Sequence, residues 1–194
     1  MKTLLAILLS FIVSEAPVLA IHGGYSLTSS GSVVGEYAGA LVPIQDTLLA
    51  TGSNEADFGA NSLGLFTITI PQTGLGTGTV YLFSNGQQMT GPIQAIPDPT
   101  NTSGIIGVIS ATGQISASAN QNDFGFIFNT TFVQVTGQAG GGFEAIATES
   151  NVSDSPTGVN LSGTAHLTVQ TTSSNGLLTP TDAITFELFG FQQD

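Results

Sequence analysis

Glu144 and Glu187 are the two acidic residues best set to do chemistry. Each lies mid-run in a segment that alternates apolar and polar residues. Glu144 falls between Phe143, Ala145 and Ala147, and Glu187 between Ile184, Phe186 and Leu188. Period-two alternation predicts half-buried strands with both carboxylates on the polar face. Were those strands neighbours on a concave face, one protonated and one ionised carboxyl could share general acid/base work, as in glycoside hydrolysis at low pH. Sugar clefts carry aromatic platforms, however, and the chain has no Trp and three Tyr. The plainer reading is two carboxylates keeping a sheet face soluble.

Other chemistries have thinner support. The histidines are His22 and His166. His166 shares its parity with Thr164 and Thr168, a solvent-face position, and no H-E-x-x-H pattern is present, so a zinc site is not expected. Two oxygen-rich stretches could suit calcium, one with Glu55 and Asp57, the other with Glu149 and Asp154. Neither completes an EF-hand loop, and solvated loop residues explain both. The chain lacks G-x-S-x-G and has no lysine to build S-x-x-K around a serine nucleophile beyond Lys2. Cysteine is absent, which removes thiolate metal sites, disulfides and a cysteine nucleophile. No cofactor is expected.

Charge narrows the partners. The chain carries 13 acidic residues and a formal charge of −12, and its single Lys or Arg is Lys2. Nothing basic remains to meet a phosphate backbone, so nucleic acid is excluded as a partner. Lysine and arginine ion pairs are equally unavailable, and stability must come from burial and backbone hydrogen bonds. Only 7% of residues are charged, well under the usual quarter. Gly, Ser, Thr, Asn and Gln make up the polar surface instead.

Residues 1–20 carry a secretory signal pattern. Lys2 is the positive start, Leu4 to Val13 the apolar stretch, and Val18-Leu19-Ala20 the small-residue cleavage site. The apolar run is too short to span a bilayer. Export is therefore expected, to the extracellular space or cell surface, with Ile21 as the mature start and no transmembrane segment afterwards. Residues 21–194 suit one domain.

The elements that must position any site are strands. Leu65 to Ile96 is the clearest stretch. Phe66, Ile68 and Ile70 alternate with threonines, Pro71 ends the run, Thr79 to Phe83 is a second strand, and Asn85-Gly86 turns into a third. Val33, Gly35, Tyr37, Gly39 and Leu41 share one face of an earlier strand. Pro97 to Asn101 reads as a turn. Ala111-Thr112-Gly113 reads as another turn, and the glycines from 137 to 142 as a break. Phe124, Phe126, Phe128 and Phe132 share one face of a long strand, which should point inward. Val159 to Thr171 is a further strand, and Asn175-Gly176 a hairpin turn. In the last strand Phe189 and Phe191 fall on the opposite parity from Leu188, which suggests a bulge near Phe189-Gly190. Asn101, Asn129, Asn151 and Asn160 open N-x-S/T patterns.

Ten to twelve strands without a convincing helix predict a single-domain antiparallel β-sandwich or β-barrel. The leading expectation for function is a secreted or cell-surface structural or adhesive protein. It would self-associate or meet a cell-surface partner by strand addition, with residues 25–41 as the donor or edge strand. The alternatives are a closed barrel binding a small apolar ligand, and an acid-acting hydrolase built on Glu144 and Glu187.

Overall fold

Strict alternation of buried and exposed residues governs the wall of the molecule. In Leu63–Ile70 every second residue from Gly64 is buried and every other one exposed. The computed structural model describes residues 33–49, 54–55, 62–84, 86–123, 126–149, 159–172 and 178–193. Side chains are described for all of these except 48, 54–55, 116–123, 126–134, 149 and 178–179. The strands are β1 (Gly35–Leu48), β2 (Asn54–Glu55), β3 (Leu63–Ile70), β4 (Gly76–Ser84), β5 (Gln87–Pro97), β6 (Gly104–Asp123), β7 (Phe126–Glu149), β8 (Val159–Thr172) and β9 (Leu178–Gln192). Around the sheet the order is β6-β5-β4-β3-β1-β9-β8-β7, and β7 pairs back onto β6. All pairings are antiparallel, so the sheet is a closed eight-stranded barrel. The two-residue β2 lies outside the ring, against Ala119 and Ser118 of β6. Among the described residues there is no helix, and so none long and apolar enough to cross a membrane.

The all-β expectation holds, and of the two architectures the barrel is the one formed. Among the described residues there are nine strands, fewer than ten to twelve, and two of the expected breaks lie mid-strand. Ala111-Thr112-Gly113 is continuous β6, paired with β7 from Ala139 to Gly137. The glycines from 137 to 142 are continuous β7, paired on both sides. Gly141 shows why glycine serves a strand here: a Cβ on it would run into the backbone carbonyl of His166 on β8. Gly39 of β1 likewise faces the carbonyl of Phe189. Both point into the barrel, where a small ring must bend its strands hard, and removing the side chain permits that bend.

Tyr37, Leu41, Phe66, Ile68, Val80, Leu82, Met89, Ile93, Ile105, Ile109, Phe143, Leu161, Leu167, Ile184, Phe186 and Leu188 fill the interior. Each fully buried large side chain contributes roughly 1.5–3 kcal/mol of transfer free energy. The meander expected between Leu65 and Ile96 is β3, β4 and β5. Ser84 pairs with Gln87 across a two-residue turn, and Gly86 has φ of +78°, the left-handed conformation that such a turn demands. The turn from Asp98 to Ser103 is held by Asp98, whose carboxylate accepts from the Thr100 amide at 2.8 Å and hydroxyl at 2.7 Å, and by Asn101 Oδ1, which accepts from the Ser103 amide at 3.1 Å.

Three expectations need correction. The end of β9 carries no bulge: Leu161, Ser162 and Gly163 pair in regular register with Gly190, Phe189 and Leu188. Phe189 and Phe191 are apolar residues on the outer wall, 38% and 59% exposed. The register irregularities lie at Thr181 of β9, at Ile44 of β1 and in the β6–β7 ladder between Gln121 and Asn122. Second, of the donor or edge strand expected over 25–41, residues 25–32 lie outside the described residues, and 35–41 are no edge, because β1 pairs with β3 on one side and β9 on the other. Third, Val135 stands on the parity opposite to Phe126, Phe128 and Phe132, the face taken as outer when those phenylalanines are pointed inward, yet it is half-buried and packed against the core. The inward orientation expected for Phe124, Phe126, Phe128 and Phe132 lies outside the described residues and side chains, as does the turn at Asn175-Gly176.

Beyond the barrel, β6 and β7 continue together as an arm, with the two-residue β2 on its β6 edge. β5 pairs with β6 only as far as Gln114, and β8 reaches β7 only at Gly137, while the β6–β7 ladder runs on to Asp123 and Phe126.

Candidate functional site

Strand register places the chemistry-bearing residues. Glu144 and Glu187 both pair with Thr164, one from each side. Their Cα atoms are thus two strand spacings apart, about 10 Å, and both side chains are exposed on the convex outer wall. Retaining glycosidases hold their carboxyls roughly 5–5.5 Å apart and inverting ones roughly 6.5–9.5 Å, around a bound sugar. Convex curvature splays these two outward, away from that range. His166 is exposed on the same wall, as its parity predicts, with Nδ1 3.1 Å from the hydroxyl of Thr185. His22 lies outside the described residues. So do the calcium candidates Asp57 and Asp154. Glu55 is described by its backbone in β2 and Glu149 by its backbone at the end of β7. Among the described residues no three His, Asp or Glu side chains converge as a metal would require.

The register also assembles a groove that sequence reading did not anticipate. One outward row crosses four strands as Ile96, Ile106, Glu144 and Thr164, and the next as Gln94, Val108, Gly142 and His166. Between them lies a depression of about 540 Å³, with Leu75 of the β3–β4 connection at one end. Its origin is Gly142. A Cβ there would meet only the Gly107 carbonyl, at 3.7 Å. The missing side chain leaves a slot between Val108 and His166. Ile96, Ile106, Val108 and Leu75 give apolar walls, and all four are half-buried. Glu144, Thr164 and His166 form a polar rim. Gln94 sits at the edge, and its Oε1 is buried with no hydrogen-bond partner among the described residues. Burying an amide oxygen unpaired costs about 1–3 kcal/mol. That cost makes Gln94 the polar group most in need of an outside donor.

Two signals could have revealed this groove. Ile96, Ile106 and Val108 stand on the outward parity of strands whose inward parity is already apolar. The glycines at 140 and 142 are outward too, and were read as a break. A third residue escaped notice. Asp182 is fully buried, on the parity of Ile184, Phe186 and Leu188, beside the bulge at Thr181. The Thr181 hydroxyl lies 3.2 Å from the Val169 carbonyl and 3.4 Å from Asp182 Oδ2. These contacts tie the β8–β9 pair together where its register shifts.

A smaller groove of about 280 Å³ lies beyond Glu144, toward Asp98, Asn101, Ile146 and Ser162. Glu144 stands between the two. Comparison with known proteins finds no matching family model, no similar curated protein and no similar solved structure.

Proposed function

We propose that this is an exported β-barrel that binds a small apolar molecule bearing a hydroxyl, in the groove across β5, β6, β7 and β8. The observation that carries the reading is the buried, unpartnered Gln94 Oε1 at the edge of an apolar slot. Small-molecule sites have this composition: mostly apolar walls, a few convergent polar groups, and a volume of roughly 300–1,000 Å³. A ligand hydroxyl both donates and accepts, so it satisfies the Gln94 amide in either orientation. The ligand lies on the wall because the interior is occupied by core side chains.

The test is fluorescence titration of the purified protein with 2-naphthol and with its methyl ether. Naphthol should bind saturably and the ether at least tenfold more weakly. Gly142→Val should abolish binding without loss of fold, since β-branched residues suit strands and the position has room. Equal binding of both compounds, or binding that survives Gly142→Val, would sink the proposal.

A structural or adhesive role is the second reading. Its support is the apolar outer wall around Phe189 and Phe191. Within the ring every strand is paired on both sides, so among the described residues strand addition is left the edges of the β6–β7 arm, one of them partly covered by β2. The hydrolase alternative draws support from the shared row of Glu144 and Glu187, and loses it to their separation.

A further inference from the structure

The two grooves on the outer wall differ in chemistry and share a border. The first has apolar walls, from Leu75, Ile96, Ile106 and Val108. The second, of about 280 Å³, is lined by the polar residues Asp98, Thr100, Asn101 and Ser162. Alone it falls just short of the roughly 300–1,000 Å³ of small-molecule sites. Glu144 and Thr164 line both grooves, so the second continues the first. Register gives the scale. Gln94 pairs with Val108 and Ile96 with Ile106, and their partners on β7 are Gly142 and Glu144. Glu144 therefore stands two residues along the wall from the row of Gln94, roughly 7 Å. Asp98 opens the turn just past the end of β5. It accepts from the Thr100 amide and hydroxyl through Oδ1 alone, which leaves Oδ2 for a ligand.

We infer that the molecule held in the groove is an amine, with an ammonium group at Glu144 and Asp98 and its hydroxyl at Gln94. This rests on the groove reading above and names the class of ligand within it. The apolar body lies in the first groove and the charged end in the second. Carboxylates at one end and an unpartnered amide oxygen at the other both call for donors, and an ammonium group has donors and no acceptor. The chain supplies no counter-ion of its own, since it has no Lys or Arg beyond Lys2. A net charge of −12 also draws cations toward the surface before they bind. The spacing limits the ligand's size: a benzene ring with a two-carbon chain covers the distance from Gln94 to Glu144.

Isothermal titration calorimetry of the purified protein with tyramine and with 4-ethylphenol tests this. The probes share ring and hydroxyl and differ in the amine, which is protonated at neutral pH like that of lysine. Tyramine should bind roughly threefold more tightly or better at low ionic strength, the scale of an exposed ion pair. The margin should shrink in molar salt, which screens exposed charges. Glu144→Gln should bring the ratio of the two affinities close to one. Glu36→Gln makes the same charge change at an exposed position on β1, across the barrel, and should leave the ratio alone. Equal affinity for the two probes overturns the inference. So does a preference that Glu144→Gln lowers no more than Glu36→Gln does, because net charge then explains it. In either case, saturable binding of 4-ethylphenol that Gly142→Val removes leaves the groove reading standing. If neither probe binds, the groove reading falls and this inference with it.

Discussion

Tyr37 carries a hydroxyl into the barrel that no described group bonds, and burial pushes its pKa up from the ordinary tyrosine value. The direction sets a pH dependence. Below about pH 10 the phenol is neutral in folded and unfolded chains alike, and its contribution to stability is fully present. Above that, the unfolded chain releases a proton that the folded chain holds, so stability is lost as pH rises toward the folded pKa. Tyr37→Phe should therefore flatten the alkaline fall in urea midpoint between pH 9 and 11. At pH 7 the same change should leave stability equal or raise it by about 1 kcal/mol, because it deletes a buried polar atom without orphaning another. A loss at pH 7 would mean that the hydroxyl has a partner in solution. The alternation put Tyr37 on one face with Val33 and Leu41 without saying which way it points, and the structure buries all three. Gln94 was not announced: one glutamine between apolar residues looks like any solvated strand position.

Strands were legible where alternation was clean and the turn residue specific. β3, β4 and β5 follow from Phe66, Ile68, Ile70 and Asn85-Gly86. Long strands were cut short because glycine signals both a turn and a close approach, and a single sequence does not separate the two uses. Gly141 and Gly142 make the difference measurable. Gly141 faces inward against a neighbouring carbonyl, so Gly141→Ala should cost at least 1–3 kcal/mol, as overpacking does. Gly142 faces outward into open space, so Gly142→Ala should be neutral or stabilising by up to about 1 kcal/mol, the usual advantage over glycine within a strand. Denaturant melts of the two variants decide whether this stretch is the paired strand seen here or the break that its composition suggested. Phe189 and Phe191 teach a related lesson. Apolar residues on the outward parity looked like a slip in register, although the register is regular and the wall itself is apolar. The candidate site was less legible still, since it depends on which strands are neighbours. Glu144 and Glu187 looked like a pair from alternation alone; only the β7-β8-β9 order shows Thr164 between them.

For the molecule as a whole, charge of one sign sets behaviour in solution. The pI is about 4.1, and no lysine or arginine beyond Lys2 stays charged once carboxylates are protonated. Solubility should fall steeply as pH drops toward that value, as neutral apolar walls lose the repulsion that separates them. A turbidity profile flat from pH 7 to 3 would show that hydroxyls and amides, not carboxylates, keep the molecules apart. The ring also has one pairing unlike the others. Seven of its eight contacts join strands adjacent in the chain once the two-residue β2 is set aside. The eighth joins β1 to β9, Tyr37 to Gln192. Local hairpins form fast, and a contact between chain ends must wait for both. During synthesis the sheet is an open ribbon until β9 pairs with β1. Its two raw edges until then are β1 and β9, flanked by Leu65, Phe189 and Phe191. Loss of β9 as a whole would leave that ribbon unclosed, with a sticky edge exposed to every other copy.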